Sequence, residues 1–336
     1  TAAQNALDAD IAAWVAAQTT IINNSLTGGS PTVSHNFTNQ SIDFCTGGTV
    51  TITWTIDDIC ETFTPQATYT LTQPQAVSYT SPSDDSADAC EFDNADPTAA
   101  QNALDADIAA WVTAQTNSIN SSLAGGCSPS VSHDFTNQSI DFCTGGTVTI
   151  TWTVEDICGS TNPTATYTLT QPQAVSYTSP SDDSADACEF DNADPTAAQN
   201  ALDADITAWV TNQTAIINNS LAGGCSPSVS HDFTNQSIDF CTGGTVTITW
   251  TIDDICETFT PQATYTLTQP QVVSYTSPSD DSADACEFDN ADPTAAQNAL
   301  DADIAAWVTN QTAIINNSLA GGCSPSVSHD FTNQSI

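Results

Sequence analysis

The groups in this sequence with chemistry to offer are twelve cysteines, 40 acidic side chains and four histidines, set in a chain with no Lys and no Arg. The cysteines recur at fixed offsets, in the sets Cys45/Cys143/Cys241, Cys60/Cys158/Cys256, Cys90/Cys188/Cys286 and Cys127/Cys225/Cys323. No two of them form a CxxC, the spacing structural zinc sites use, so oxidation to disulfides in an extracellular compartment is the expected chemistry. Cys143 and Cys158 bracket an extended stretch. At about 3.3 Å per residue they lie more than about 30 Å apart, far beyond the roughly 6 Å a disulfide spans between Cα atoms. Cys127 opens one strand and Cys158 closes the next, so an antiparallel hairpin would make them face. That pairing leaves Cys90 with Cys143. The expected bonds are therefore Cys127–Cys158, Cys90–Cys143, Cys225–Cys256 and Cys188–Cys241. In the first copy Gly28-Gly29-Ser30 lacks the cysteine, which leaves Cys60 without a partner.

The acidic groups cluster in one stretch per copy: Asp84, Asp85, Asp88, Glu91, Asp93 and Asp96, repeated from Asp182 onward. Hard cations take several carboxylate oxygens, which makes this stretch the candidate calcium site, although EF-hand spacing is absent. The competing reading is a solvated acidic loop that keeps the chain soluble and extended. Calcium is the one cofactor the sequence suggests. His133 and its equivalents His35, His231 and His329 each follow a serine. Without a nucleophile elbow or an oxyanion glycine pattern, the sequence offers no catalytic residue, and an enzyme is not expected. Asn39, Asn137 and Asn235 sit in N-x-S triplets and read as polar turns.

The elements that must carry these groups form an array. Thr1, Thr98, Thr196 and Thr294 begin near-identical copies, spaced by 97, 98 and 98 residues. The central motif is CTGGTVTITWT, at Cys45–Thr55, Cys143–Thr153 and Cys241–Thr251. Strict alternation of Val148, Ile150 and Trp152 with threonines predicts a strand with one apolar and one polar face. Ahead of it, Leu104, Ile108, Trp111 and Val112 stand at helical spacing. Thr98 and Gln101 suggest a capping box, and the helix is expected to fade around Asn117–Ser122. Shorter strands are expected at 128–135 and 164–170. These readings predict a mainly β fold with one helix per module: tandem β-sandwich modules with boundaries at 1–73 (partial), 74–171, 172–269 and 270–336 (partial). Trp111 and Trp152 read as core.

The pattern of Cys127, Gly145-Gly146, Trp152 and Cys158, with a helix between Cys90 and Cys127, resembles the HYR-like (hyalin-repeat-like), immunoglobulin-type tandem repeats of giant secreted Bacteroidetes surface proteins. The resemblance spans every copy and departs from the pattern in the absence of Lys and Arg and of a cysteine after Gly29. It implies an Ig-like sandwich, export to the bacterial cell surface and no catalysis. It also implies O-glycosylation at the Asp-Ser-Ala triplets, that is at Ser86, Ser184 and Ser282.

A formal charge of −40 makes nucleic acid and anionic membranes poor partners. No apolar run is long enough to span a membrane. With no Lys, isopeptide crosslinks are chemically impossible within these residues, and trypsin has no site to cut. The expectation is a structural, non-catalytic extracellular filament or stalk whose partners are copies of itself and covalent glycan. The alternative is the repeat stalk of a surface adhesin whose ligand-binding domain lies elsewhere.

Overall fold

A computed structural model of the chain describes residues 1–332 and 336. They fall into two compact units, Thr1–Pro172 and Gln173–Ile336. The first unit holds α1 (Ala2–Ser25), β1 (Thr32–His35), β2 (Gly48–Asp57), β3 (Thr62–Phe63) and β4 (Gln66–Leu71). It continues with β5 (Asp85–Asp88), α2 (Pro97–Ser122), β6 (Ser130–His133), β7 (Gly146–Asp156), β8 (Gly159–Thr161) and β9 (Thr164–Thr170). The second unit holds β10 (Asp183–Asp186), α3 (Pro195–Ser220), β11 (Ser228–His231), β12 (Gly244–Asp253), β13 (Thr258–Phe259), β14 (Gln262–Thr268) and α4 (Pro293–Ser318).

The long strand organises each repeat. β7 pairs antiparallel with β8 and β9 in one continuous register, Val154 opposite Thr161 and Gly146 opposite Leu169. Its far end pairs on the other side with β6, Ser130 opposite Glu155. β9 then accepts β5 as a parallel neighbour, Asp85 opposite Tyr167. The sheet is therefore mixed, in the order β5-β9-β7-β6, and the second unit repeats it as β10-β14-β12-β11. Parallel pairing of β5 with β9 requires a crossover, and the intervening helix supplies it. Alternation holds as read from the sequence. Val148, Ile150 and Trp152 are buried, whereas Thr147 and Thr149 face solvent, with the Thr149 and Thr166 hydroxyls 3.0 Å apart.

One helix lies against the apolar face of each sheet. In the second unit Leu202, Ile206, Trp209, Val210 and Ile217 form one core with Val246, Ile248, Trp250, Ile252, Tyr265 and Leu267. Each such side chain contributes roughly 1.5–3 kcal/mol on burial. The fold is thus not mainly β: helix accounts for 34% of residues and strand for 25%. The described strands of each repeat join one sheet rather than the two of a sandwich, and the helix occupies the layer a second sheet would fill.

The helix is also longer than its polar tail suggests. Ile119 is fully buried, so the apolar stripe runs through the Asn/Ser-rich last turns and holds them helical to Ser122. The cap differs as well. Asp96, with Pro97 at the first helical position, accepts the N–H of Thr98 at 2.9 Å, so the N-cap lies two residues ahead of the expected Thr98. This leaves Gln101 free of any capping box. Its amide donates to the Ile140 carbonyl at 2.8 Å and accepts from the Phe142 N–H at 3.1 Å, tying the helix to the loop that feeds β7.

Candidate functional site

The cysteines form the site that the fold arranges with most consequence. Cys45, in the turn before β2 of the first repeat, is bonded to Cys158, in the turn after β7 of the second, with their Cα atoms 5.3 Å apart and 113 residues between them. In the second unit Cys188 is bonded to Cys323, 135 residues on, with Cα atoms 5.0 Å apart. Cys188 lies in the one-turn helix Ala187–Phe190 ahead of α3, and Cys323 follows α4. Both bonds therefore join one copy of the repeat to the next. Cys90, Cys143, Cys225 and Cys256 are disulfide-bonded too. Cys60, Cys127, Cys241 and Cys286 are free thiols.

The expected pairs Cys127–Cys158 and Cys188–Cys241 are thus overturned. The facing argument fails for a local reason. Extending the β6–β7 register would bring Cys127 opposite Cys158, but the ladder stops at Ser130. Pro129 has no N–H to donate, and Ser128 takes φ 59°, so the chain turns away before Cys127 can face β7.

Sequence reasoning missed the carboxylate that holds these cysteines in place. Asp156 accepts the N–H of Cys127 at 3.0 Å, of Cys158 at 2.8 Å and of Gly159 at 3.0 Å. These donors hold its carboxyl below the usual range, the Cys127 N–H acting most strongly. Asp254 repeats the arrangement, accepting from Cys225 at 2.7 Å. The signal was legible, because an acidic residue stands two positions before each Cys of this set. Asp239 works in the same way ahead of β12, accepting from Thr242 at 2.8 Å and from Cys241 at 3.0 Å.

The acidic stretch does not gather into a cation cage. Among the described residues no group of three or more His, Cys, Asp or Glu side chains is placed to hold a metal. Its carboxylates serve backbone donors instead. Asp84 accepts from Thr166 N–H at 2.8 Å, Asp85 from Ser86 at 2.9 Å, Asp88 from Cys90 at 2.9 Å and Asp96 caps α2. The carboxylate of Glu91 turns back to the Asp88 N–H at 3.3 Å, and Asp93 ends the one-turn helix as its C-cap. A helix with a short acidic lead-in needs its end groups satisfied, and that need disperses the oxygens a cation would want converged.

Ser86 and Ser184 lie exposed on the parallel strands β5 and β10, and Ser282 is exposed at the equivalent position. His133 is exposed at the end of β6, its ring 6.4 Å from that of Phe135. Asn39, Asn137 and Asn235 take φ of 64°, 65° and 67°, the left-handed turn conformation Asn tolerates better than most residues. The indoles are core. Trp152 Nε1–H donates to Thr116 Oγ1 at 2.9 Å, and Trp111 stands edge-on to Trp152 with centroids 5.9 Å apart. The Tyr167 hydroxyl donates to the Asp107 carboxylate, and burial, followed by that acidic neighbour, pushes its pKa up.

No family model and no curated protein matches this chain. Among solved structures, extracellular cadherin domains 1–4 of Protocadherin Gamma B7 cover 78% of this chain and 75% of their own, at TM-score 0.28 and 10% identity. Titin domains I67–I69 cover 72% and 84% at TM-score 0.21 and 8% identity. Drosophila N-cadherin EC1-4 covers 68% and 59% at TM-score 0.23 and 8% identity. At such scores these likenesses bear no weight, and the fold rests on the register and packing above.

Proposed function

We propose that this chain is part of a structural, non-catalytic extracellular rod, a filament or stalk of tandem repeats akin to the HYR-like repeats of Bacteroidetes cell surfaces. The observation that carries this reading is the Cys45–Cys158 bond, which staples consecutive copies to each other. A chain whose repeats were joined by linkers alone would extend under tension at each linker. A covalent bond outside the linker shortens the length that can be drawn out. Disulfides also suit an oxidising, extracellular setting. No helix among the described residues is long and apolar enough to cross a membrane. Acidic side chains without a single Lys or Arg keep neighbouring rods apart over about 8–10 Å at physiological salt.

Within this reading Ser86, Ser184 and Ser282 carry O-linked glycan, supported by their exposure and by the repeated Asp-Ser-Ala. An intact mass equal to that of the bare sequence would remove that part. Calcium acts as a diffuse counterion to the carboxylates rather than as a caged ion. The stalk of an adhesin remains the alternative. Negative-stain microscopy of secreted material separates the two: regular fibres of many chains support a filament, isolated thin threads a stalk, and compact particles overturn both.

A further inference from the structure

Every free thiol in the chain stands at a position whose equivalent in another copy is bonded. Cys60 corresponds to Cys158 and Cys241 to Cys45, the two halves of one bond. Cys127 corresponds to Cys323 and Cys286 to Cys188, the two halves of the other.

Strand pairing and packing are also incomplete in the first and last copies, independently of the sulfurs. β9 and β14 each hold a parallel Asp-Ser-Ala-Asp strand, but β4 is paired to β2 alone among the described residues. Tyr69 on β4 is accordingly half-buried, where Tyr167 and Tyr265 are buried. At the other end Asp281–Asp284 has the same sequence as β5 and β10 but is not a strand. The α4 stripe of Leu300, Ile304, Trp307 and Val308 is half-buried, where Leu202, Ile206, Trp209 and Val210 of α3 are buried. The β4 edge left open is the one that an Asp-Ser-Ala-Asp strand covers on β9 and β14, and the α4 stripe is the one that a sheet covers on α3.

We propose that Cys60, Cys127, Cys241 and Cys286 are open halves of inter-copy disulfides, each a modification site for a cysteine of another copy of this same repeat. Cys60 takes a cysteine in a Phe-Cys-Thr-Gly-Gly context, as Cys158 takes Cys45. Cys127 takes one in an Ala-Cys-Glu-Phe context, as Cys323 takes Cys188. Cys241 takes one preceded by Asp-Ile, and Cys286 one preceded by Gly-Gly. Each bond forms by loss of two protons and two electrons from a thiol pair to a small-molecule or protein disulfide, which is reduced to two thiols. The partner copy is supplied by the same polypeptide or by a second one, with identical sulfur chemistry. The inference rests on bonds and strand edges and holds whether the rod is a filament or a stalk.

The test is non-reducing peptide mapping of the secreted protein, isolated in the presence of an alkylating agent and digested with a protease other than trypsin. The expected result is near-complete recovery of the four cysteines in the heterologous contexts above. Denaturing, non-reducing electrophoresis then gives the source: one band means copies of the same chain, and a ladder collapsed by reductant means a second chain. Cys241→Ser in the same protein should expose one new alkylatable thiol in an Asp-Ile-Cys context, with circular dichroism unchanged. Alkylated Cys60, Cys127, Cys241 and Cys286, or bonds of Cys60 to Cys127 or of Cys241 to Cys286, would overturn the proposal. A variant that exposes no thiol would overturn it as well.

Discussion

Cys45 and Cys158 lie 5.3 Å apart at Cα across 113 residues of intervening chain, with a helix and most of two sheets between them. Closing a loop of this length removes a large share of the unfolded chain's freedom, roughly 4–5 kcal/mol in the loop-entropy model. Cys45→Ser should therefore lower the denaturant midpoint of the first unit by a loss of about 2–5 kcal/mol, with Cys158 appearing as a new thiol. Recovery of a Cys127–Cys158 peptide from the unreduced wild-type chain would show that the bond has been placed wrongly.

Trp250 is fully buried and its Nε1–H donates to Thr214 Oγ1 at 2.9 Å. Thr214→Val keeps the shape and removes the acceptor, leaving an indole N–H with no partner in an apolar core. The second unit should lose about 1–3 kcal/mol in urea unfolding, and Trp250→Ala about 3–5 kcal/mol. If Thr214→Val costs nothing, the indole has found water, and the helix does not seal the sheet.

Gly243 has φ 64°, and a Cβ there would come within 2.7 Å of the Leu267 carbonyl oxygen and 2.9 Å of the Gln269 nitrogen. Backbone cannot step aside as a flexible side chain can. Gly243→Ala should cost at least about 1 kcal/mol, since Ala is incompatible with this conformation. Gly159→Ala is the control, with open space around the added carbon. Thermal melts giving equal shifts for the two variants would refute the turn geometry.

The carboxyls of Asp43, Asp156 and Asp239 are all held below their ordinary value, each chiefly by backbone N–H donors. A depressed folded-state value makes the ionised form stabilising. That stability is fully present above the unfolded value near pH 4 and fades as pH falls through the lower folded values. Melting temperature should be flat from pH 7 to about 5 and drop below about pH 4. Asp156→Asn should melt lower at pH 7 and lose less on acidification, because its part of the titration is gone. An unchanged pH profile in this variant would show that Asp156 has no such role.

Charge also sets how the rods meet. With a sequence pI near 4.1, protonation removes the repulsion as pH approaches 4, and added calcium screens it at pH 7. Light scattering should rise in both cases and fall again when chelator follows calcium. Flat scattering throughout would mean the carboxylates do not keep the rods apart.

Periodicity alone determined the repeat, a central strand with buried Val148, Ile150 and Trp152, and the helical stripe of Leu104, Ile108, Trp111 and Val112. Alternation at two and recurrence at three to four residues are local patterns, and burial of one face follows from them directly. Absence of Lys and Arg likewise settled, without coordinates, that no ion pair to either of those side chains holds this fold together. Tertiary structure decided what lay opposite each face. A helix that buries Ile119 beneath its polar tail took the place of the second sheet, and it lies in the crossover that joins the strand Asp85–Asp88 to its parallel neighbour Thr164–Thr170. The cysteine pairing was also out of reach. Facing positions can be counted within a hairpin, but the β6–β7 ladder stops at Ser130, and the true partner of Cys158 comes from the preceding copy. Identical copies give identical local signals, so sequence alone could not say whether a cysteine bonds within its own repeat or across to the next. That choice depends on which turns the packed sheets bring within about 6 Å of each other.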